Sequence, residues 1–133
     1  MKKTILILVL LITFSIFSQK AENKLKSISF TQKLIKKKGT QLVLKKVVND
    51  SRCPENVNCI WAGECEIEVA IYKNRKLVST ENVVLSPKLY KENIAWFNQY
   101  YPKLKIIEIN VLPYPKSGLE INPKDFFVKV MFE

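Results

Sequence analysis

Histidine is absent from all 133 residues, which removes the side chain that most often carries general acid–base chemistry at neutral pH and is the commonest metal ligand. No C-x-x-C pair is present, so the poised thiol of a disulfide oxidoreductase has no counterpart here. The one long apolar run, Ile5 to Phe17, is shorter than the ~20 residues a membrane span needs, and no cysteine follows it to take a lipid anchor. Internal repeats and low-complexity segments are missing as well. Acidic residues are scarce beside basic ones, 12 against 22, for a net charge of +10.

What is there begins at the amino terminus. Met1-Lys2-Lys3, the apolar run and Ser18-Gln19 have the order of a secretory signal peptide with its cleavage point. Residues 1–18 therefore read as a signal peptide and 19–133 as a single β-rich domain, located in the periplasm or outside the cell, and touching the membrane only through the signal before cleavage. Removal of Lys2 and Lys3 leaves a charge of about +8. Such a surface keeps an exported protein soluble, and it favours anionic surfaces over cationic ones as partners. Lys33, Lys36, Lys37 and Lys38 form the densest basic cluster, but no aromatic platform interleaves with them, so no specific nucleic-acid binding follows.

The hydrophobic period is mostly two, the mark of strands with one buried face. Ser27–Lys33 and Thr40–Val48 read as a first hairpin turning at Lys37-Lys38-Gly39. From Cys65 onward Cys65, Ile67, Val69 and Ile71 share one face and Glu64, Glu66 and Glu68 the other. Lys73-Asn74-Arg75-Lys76 makes a polar turn, and Leu77–Leu85 returns as the antiparallel partner, placing lysines against the acidic row. A helix starts at Ser86 as cap with Pro87 at the first helical position and ends before Pro102. Tyr90, Ile94, Phe97 and Tyr101 form its buried stripe, with Trp96, Leu89 and Tyr100 on a neighbouring face. Lys103–Leu112 and Asp125–Phe132 close the chain as strands, separated by Pro113-Tyr114-Pro115 and Gly118. The expected fold class is mainly β: an antiparallel β-sandwich or partly open barrel with one inserted α-helix.

All three cysteines fall between Asp50 and Cys65, in the connection between two of these strands. Three single bridges are possible, and chain entropy separates them by only about 0.5 kcal/mol. The inward face assigned to Cys65 suits a buried thiol and favours Cys53 with Cys59; an exposed Cys65 would instead pair with a second molecule. The candidate binding loop consists of Asp50, Arg52, Trp61 and Glu64. Asp50 and Ser51 are placed to accept from loop amides, Arg52 to bind a carboxylate or carbonyl, and Trp61 to pack on the disulfide or the sheet end. As exposed groups, Arg52 and Trp61 are also the residue types that anchor interfaces. An alternative joins Cys53, Cys59 and Cys65, with Asp50 or Glu64, as a copper(I) or zinc site, although C-x5-C-x5-C is not a zinc-module spacing. A second alternative is an enzyme acting on polysaccharide, for which no carboxylate pair stands out. The leading expectation is a non-catalytic, monomeric binding module without a cofactor.

The run Asp50-Ser51-Arg52-Cys53-Pro54, then Val57, Cys59 and Trp61-Ala62-Gly63, resembles the D-S-R-C-P-x-x-V-x-C-x-W-A-G signature of a family of small, uncharacterised, exported bacterial proteins and lipoproteins. Leu112-Pro113-Tyr114-Pro115 and the closing strand resemble that family's ending more loosely. The resemblance implies a Cys53–Cys59 bridge and no activity; Cys65 lies outside the signature. The ending Phe17-Ser18-Gln19 is similar to signals of exported Bacteroidetes proteins, implying a Gram-negative host. The exported protein is expected to begin at Gln19, which an intact mass measured after expression in such a host will show; a mass retaining Met1 would contradict the signal-peptide reading.

Overall fold

The computed structural model describes residues 24–133; the predicted signal peptide lies outside them. Six strands and one α-helix run in the order β1 (Lys26–Phe30), β2 (Thr40–Asp50), β3 (Cys65–Lys73), β4 (Lys76–Leu85), α1 (Tyr90–Asn98), β5 (Ile106–Leu112) and β6 (Phe127–Phe132). They form two three-stranded antiparallel sheets, ordered β2-β3-β4 and β1-β6-β5. The sheets share one core and do not close into a barrel, so the mainly β sandwich with a single helix is the observed architecture.

Alternation along β3 builds much of that core. Cys65, Ile67, Val69 and Ile71 are buried and meet Leu42 and Leu44 of β2, Val83 and Leu85 of β4, and Val111, Val128 and Val130 of the other sheet. The opposite face of β3 is wet along its acidic row, but the partners differ from those expected. Glu68 pairs with Lys46 of β2 at 3.5 Å, and Glu66 accepts from Asn82 of β4 at 2.9 Å. The β3–β4 turn falls as predicted, with Asn74 and Arg75 at φ of 51° and 70°.

The first predicted hairpin is corrected. Both strands exist, but β1 pairs with β6 and β2 with β3. Gly39, at φ +96°, does not turn β1 back onto β2; its N–H donates to Asn74 Oδ1 at 2.9 Å and its carbonyl accepts from Asn74 N at 2.9 Å. That exchange ties the start of β2 to the far β-turn. The chain from β1 touches β2 through Leu44 N–H donating to Thr31 O at 3.0 Å.

Ser86 caps as predicted, accepting from Leu89 N at 3.3 Å, and Pro87 opens a 3-10 turn over Pro87–Leu89 before α1 begins. The helix is shorter than its apolar pattern because α-helical geometry stops at Asn98. Phe97 is fully buried and packs edge-on against Trp96, with ring centroids 4.8 Å apart, and near Phe30 at 6.1 Å. Ile94, Trp96, Tyr100 and Tyr101 pack around the same core as partly buried side chains, so Trp96 and Tyr100 of the neighbouring face join it while Leu89 stays exposed. Tyr90, assigned to the buried stripe, is half exposed instead, because its hydroxyl reaches out to donate to Ile107 O at 2.9 Å. Polar tethers fix α1 on β4: Trp96 Nε1 donates to Glu81 at 2.8 Å, and Asn93 Nδ2 to Val84 O at 2.8 Å. Strands β5 and β6 start later than predicted, at Ile106 and Phe127.

Phe97 holds the helix, β1 and the core together. Phe97→Ala is expected to destabilise the protein by about 3–5 kcal/mol, measured as a lower urea midpoint; a midpoint unchanged from the parent would show that α1 is not part of the cooperative core.

Candidate functional site

Strands β2 and β3 are joined by the cysteine-bearing loop, whose stems continue the ladder past the sheet. Asp50 stands opposite Cys65; Ser51 N then donates to Glu64 O at 2.9 Å and Cys53 N to Ala62 O at 3.0 Å. Ser51 Oγ accepts from Glu64 N at 3.3 Å, a bond across the two stems, while the local side-chain turn bond expected of Asp50 or Ser51 is made by Asp50 Oδ1, which accepts from Arg52 N at 3.3 Å. Gly63 makes this closure possible. It adopts φ +73°, and a Cβ built on it would lie 2.0 Å from the Ser51 carbonyl oxygen, a separation no side chain tolerates. The two approaches of the loop are therefore packed backbone to backbone.

Beyond the stems the loop is pinned twice more. Cys53 and Cys59 form a disulfide with Cα atoms 5.9 Å apart. Glu55 N donates to Pro115 O at 3.0 Å, Asn56 Oδ1 accepts from Ser117 N at 2.9 Å, and Lys116 pairs with Glu55 at 3.4 Å. The Pro113-Tyr114-Pro115 segment, which the sequence suggests is a linker, is thus a buttress of the loop.

Arg52 is turned inward, away from the loop surface. Its Nε and Nη2 grip Asp50 at 2.8 and 2.6 Å, Nη1 donates to Val111 O at 2.5 Å, and Nη2 reaches Pro113 O at 3.4 Å. The guanidinium also lies 4.6 Å from the Tyr114 ring centroid. Its side chain and that of Asp50 are 9% and 15% exposed. Burial acts to lower the Arg52 pKa, but the hydrogen bond to Asp50, together with the electrostatic influence of Cys65, Asp50 and Tyr114, makes the net shift upward. The cation is permanent and its donors point to carbonyls of the opposite sheet. Losing one member of such a buried pair costs about 3–5 kcal/mol.

Cys65 is buried beside this pair, with 1% of its surface exposed. Its pKa is pushed up to about 12, chiefly by burial, with Arg52 opposing and Asp50 adding to the rise. At neutral pH it is a protonated thiol, unable to act as nucleophile or ligand without losing a proton. With Cys53 and Cys59 joined to each other, the three-thiolate arrangement is not assembled, and no cluster of three or more metal-binding side chains occurs among the described residues.

The outer part of the loop is apolar. Ile60 is fully exposed at 106% of its reference area, and Trp61 and Val57 are 58% and 43% exposed. Trp61, expected to pack on the disulfide or the sheet end, keeps more than half of its surface exposed, with the Lys88 ammonium 5.9 Å from its ring centroid. Glu64 is half buried, and its carbonyl, rather than its carboxylate, serves the loop closure. Of the four predicted loop residues, Asp50 and Arg52 therefore come together as an internal clamp, while Trp61 alone faces outward prominently.

Beneath the stems lies a cavity of about 290 Å3, lined by Arg52, Gly63 and Cys65 from the loop and β3, by Leu85, Tyr90 and Asn93 from the β4–α1 corner, and by Glu108–Val111 of β5. Sequence reasoning missed Tyr90, Asn93, Glu108 and Asn110 as parts of one place. The one available signal was Asn93, a polar residue within an apolar helical stripe.

The chain matches no known family model, no curated protein and no solved structure. The arrangement itself offers a rigid apolar projection above a partly open cavity, with a protonated thiol and a saturated ion pair at its back.

In the native protein Cys65 is expected to resist iodoacetamide, and to react once per chain in urea without reductant. Gly63→Ala, which forces the Ser51 stem away, is expected to expose the thiol and raise its native reaction rate by more than tenfold. Equal rates for the two proteins would show that the stems do not seal this end of the core.

Proposed function

We propose that this protein is an exported, monomeric, non-catalytic binding module whose partner is engaged by the apolar end of the cysteine loop. The observation that carries this reading is the combination of a fully exposed Ile60 and an exposed Trp61 on a loop pinned by a disulfide, two stem hydrogen bonds and the Pro115–Ser117 buttress. Exposed apolar side chains cost solubility, and a loop so constrained loses little entropy when a partner orders it. Trp beside Lys supplies the amphipathic contact common at interface anchors. Export is supported by the basic-then-apolar amino terminus in the sequence and by the disulfide. Among the described residues no helix is long and apolar enough to cross a membrane. The signature resemblance adds the expectation that related exported chains share this loop.

The test is site-directed photo-crosslinking in the native compartment. A photoreactive residue at position 60 is expected to give a discrete adduct that disappears with Trp61→Ala, whereas the same probe at Leu77, exposed on β4, gives none. Identical adduct patterns from positions 60 and 77, or none from either, would remove the loop as the binding surface.

A further inference from the structure

The cavity runs along a sheet edge. Strand β5 is the last strand of its sheet, pairing with β6 on one side only, and four consecutive residues, Glu108, Ile109, Asn110 and Val111, line the cavity. In a strand the N–H and C=O of alternate residues point to the same side. Two carbonyls of β5 are seen to point away from β6: Ile107 O accepts from the Tyr90 hydroxyl at 2.9 Å, and Val111 O accepts from Arg52 at 2.5 Å. Ile109 lies midway between them and shares their direction. Its N–H and C=O therefore face the cavity as an unpaired donor and acceptor, with no hydrogen bond reaching them from any described residue. Both flanking carbonyls of the edge are occupied by side chains of the protein, so the gap left for a visitor is one residue wide.

An N–H and a C=O spaced along one strand are matched by a residue of an extended polypeptide, which offers the same two groups in reverse. The cavity, at about 290 Å3, sits at the small end of the ~300–1,000 Å3 range of ligand pockets, and suits a short segment better than a full strand. Polar groups around it are mostly committed. Arg52 is held by Asp50 and two carbonyls; Asn93 donates to Val84 O and accepts from Ser86 N. Asn110 Nδ2 donates to Glu108 Oε1 at 2.9 Å. Glu108 is in no ion pair among the described residues, although Lys129 stands opposite Asn110 on β6. A carboxylate with spare acceptor capacity is thus the free charge beside the edge.

We propose that this cavity captures a short extended peptide segment by strand addition at Ile109, and that the visiting residue next to Glu108 is lysine or arginine. The proposal rests on the reading of this end of the protein as a binding surface and names its chemistry. A visiting residue paired with Ile109 places its neighbours opposite Glu108 and Asn110, where side chains share a face and opposite charges attract. The partner is a polypeptide with an exposed extended stretch, because one residue of a strand presents its N–H and C=O on the same side, whereas the single trans amide of an acetylated sugar or a sphingolipid points its N–H and C=O in opposite directions.

The experiment is an amide NMR titration of the mature protein with acetyl-Thr-Val-Lys-amide. The expected result is a saturable shift centred on Ile109, with slowed hydrogen exchange at that amide. Methylation of the peptide's valine nitrogen is expected to abolish it, and Glu108→Gln to weaken binding by about two- to fivefold while strengthening that of acetyl-Thr-Val-Glu-amide, whose carboxylate no longer faces a like charge. Glu108 is exposed, so the variant is expected to fold, which its unchanged spectrum away from β5 will show. Equal binding of the N-methylated peptide overturns strand addition. Shifts confined to Ile60 and Trp61, or no saturation up to the solubility of the peptide, overturn the site at Ile109. The photo-crosslink at position 60 reports the loop alone, so failure there is distinguishable from failure of the peptide at the edge.

Discussion

Arg52 is the contact on which this end of the molecule depends. The two sheets share apolar side chains, but at the loop end their edges are joined by one guanidinium that holds the β2 carboxylate of Asp50 on one side and the Val111 and Pro113 carbonyls on the other. Apolar packing is tolerant of direction, whereas charged hydrogen bonds to a bidentate carboxylate and fixed carbonyls are not. The clamp therefore sets the relative position of the two edges with an accuracy that the core alone does not supply. It also explains why an arginine adjacent to a cysteine bridge is not available to a ligand: its donors are used in building the site.

Everything outward of the clamp is arranged in tiers. Gly63 lets the stems touch, the disulfide closes the loop, and the Pro115–Ser117 segment supports it from the opposite sheet. Those tiers leave two exposed features side by side. One is the apolar tip formed by Ile60 and Trp61; the other is the gap between the end of β4 and the edge of β5, which α1 covers in part through Tyr90. An unclosed sandwich has sheet edges to dispose of. Here one pair of edges, β1 and β2, comes together near Thr31 and Leu44, and the other, β4 and β5, is bridged by the helical segment through Asn93 and Tyr90.

Local rules made a good part of this legible. Clean alternation from Cys65 to Ile71 placed β3 and its buried thiol correctly, and Ser86-Pro87 announced the helical segment, because both are decided by neighbouring residues and burial of a single face. The β1–β2 hairpin failed for the opposite reason. Gly39 looks like a hairpin residue, yet its partner is Asn74, thirty-odd positions away by sequence, and no periodicity reports which strand a turn will meet. Arg52 and Trp61 were equally marked as chemically dense positions, but which of them turns inward depended on Val111 and Pro113, carbonyls that carry no sequence signal. The cavity was hidden altogether, since half of its wall is backbone of β5.

The burial of Cys65 has a consequence for how the chain acquires its covalent form. Of the bridges three cysteines can make, every incorrect one must use Cys65, and using it means withdrawing a side chain from the same core that Ile67 and Leu85 occupy. Any mispaired isomer is thus barred from completing the sandwich, while the correct one leaves the odd thiol shielded from exchange. Tertiary structure here acts as the proofreader of oxidation, because the folded chain keeps its odd thiol inside the core, out of reach of a second molecule.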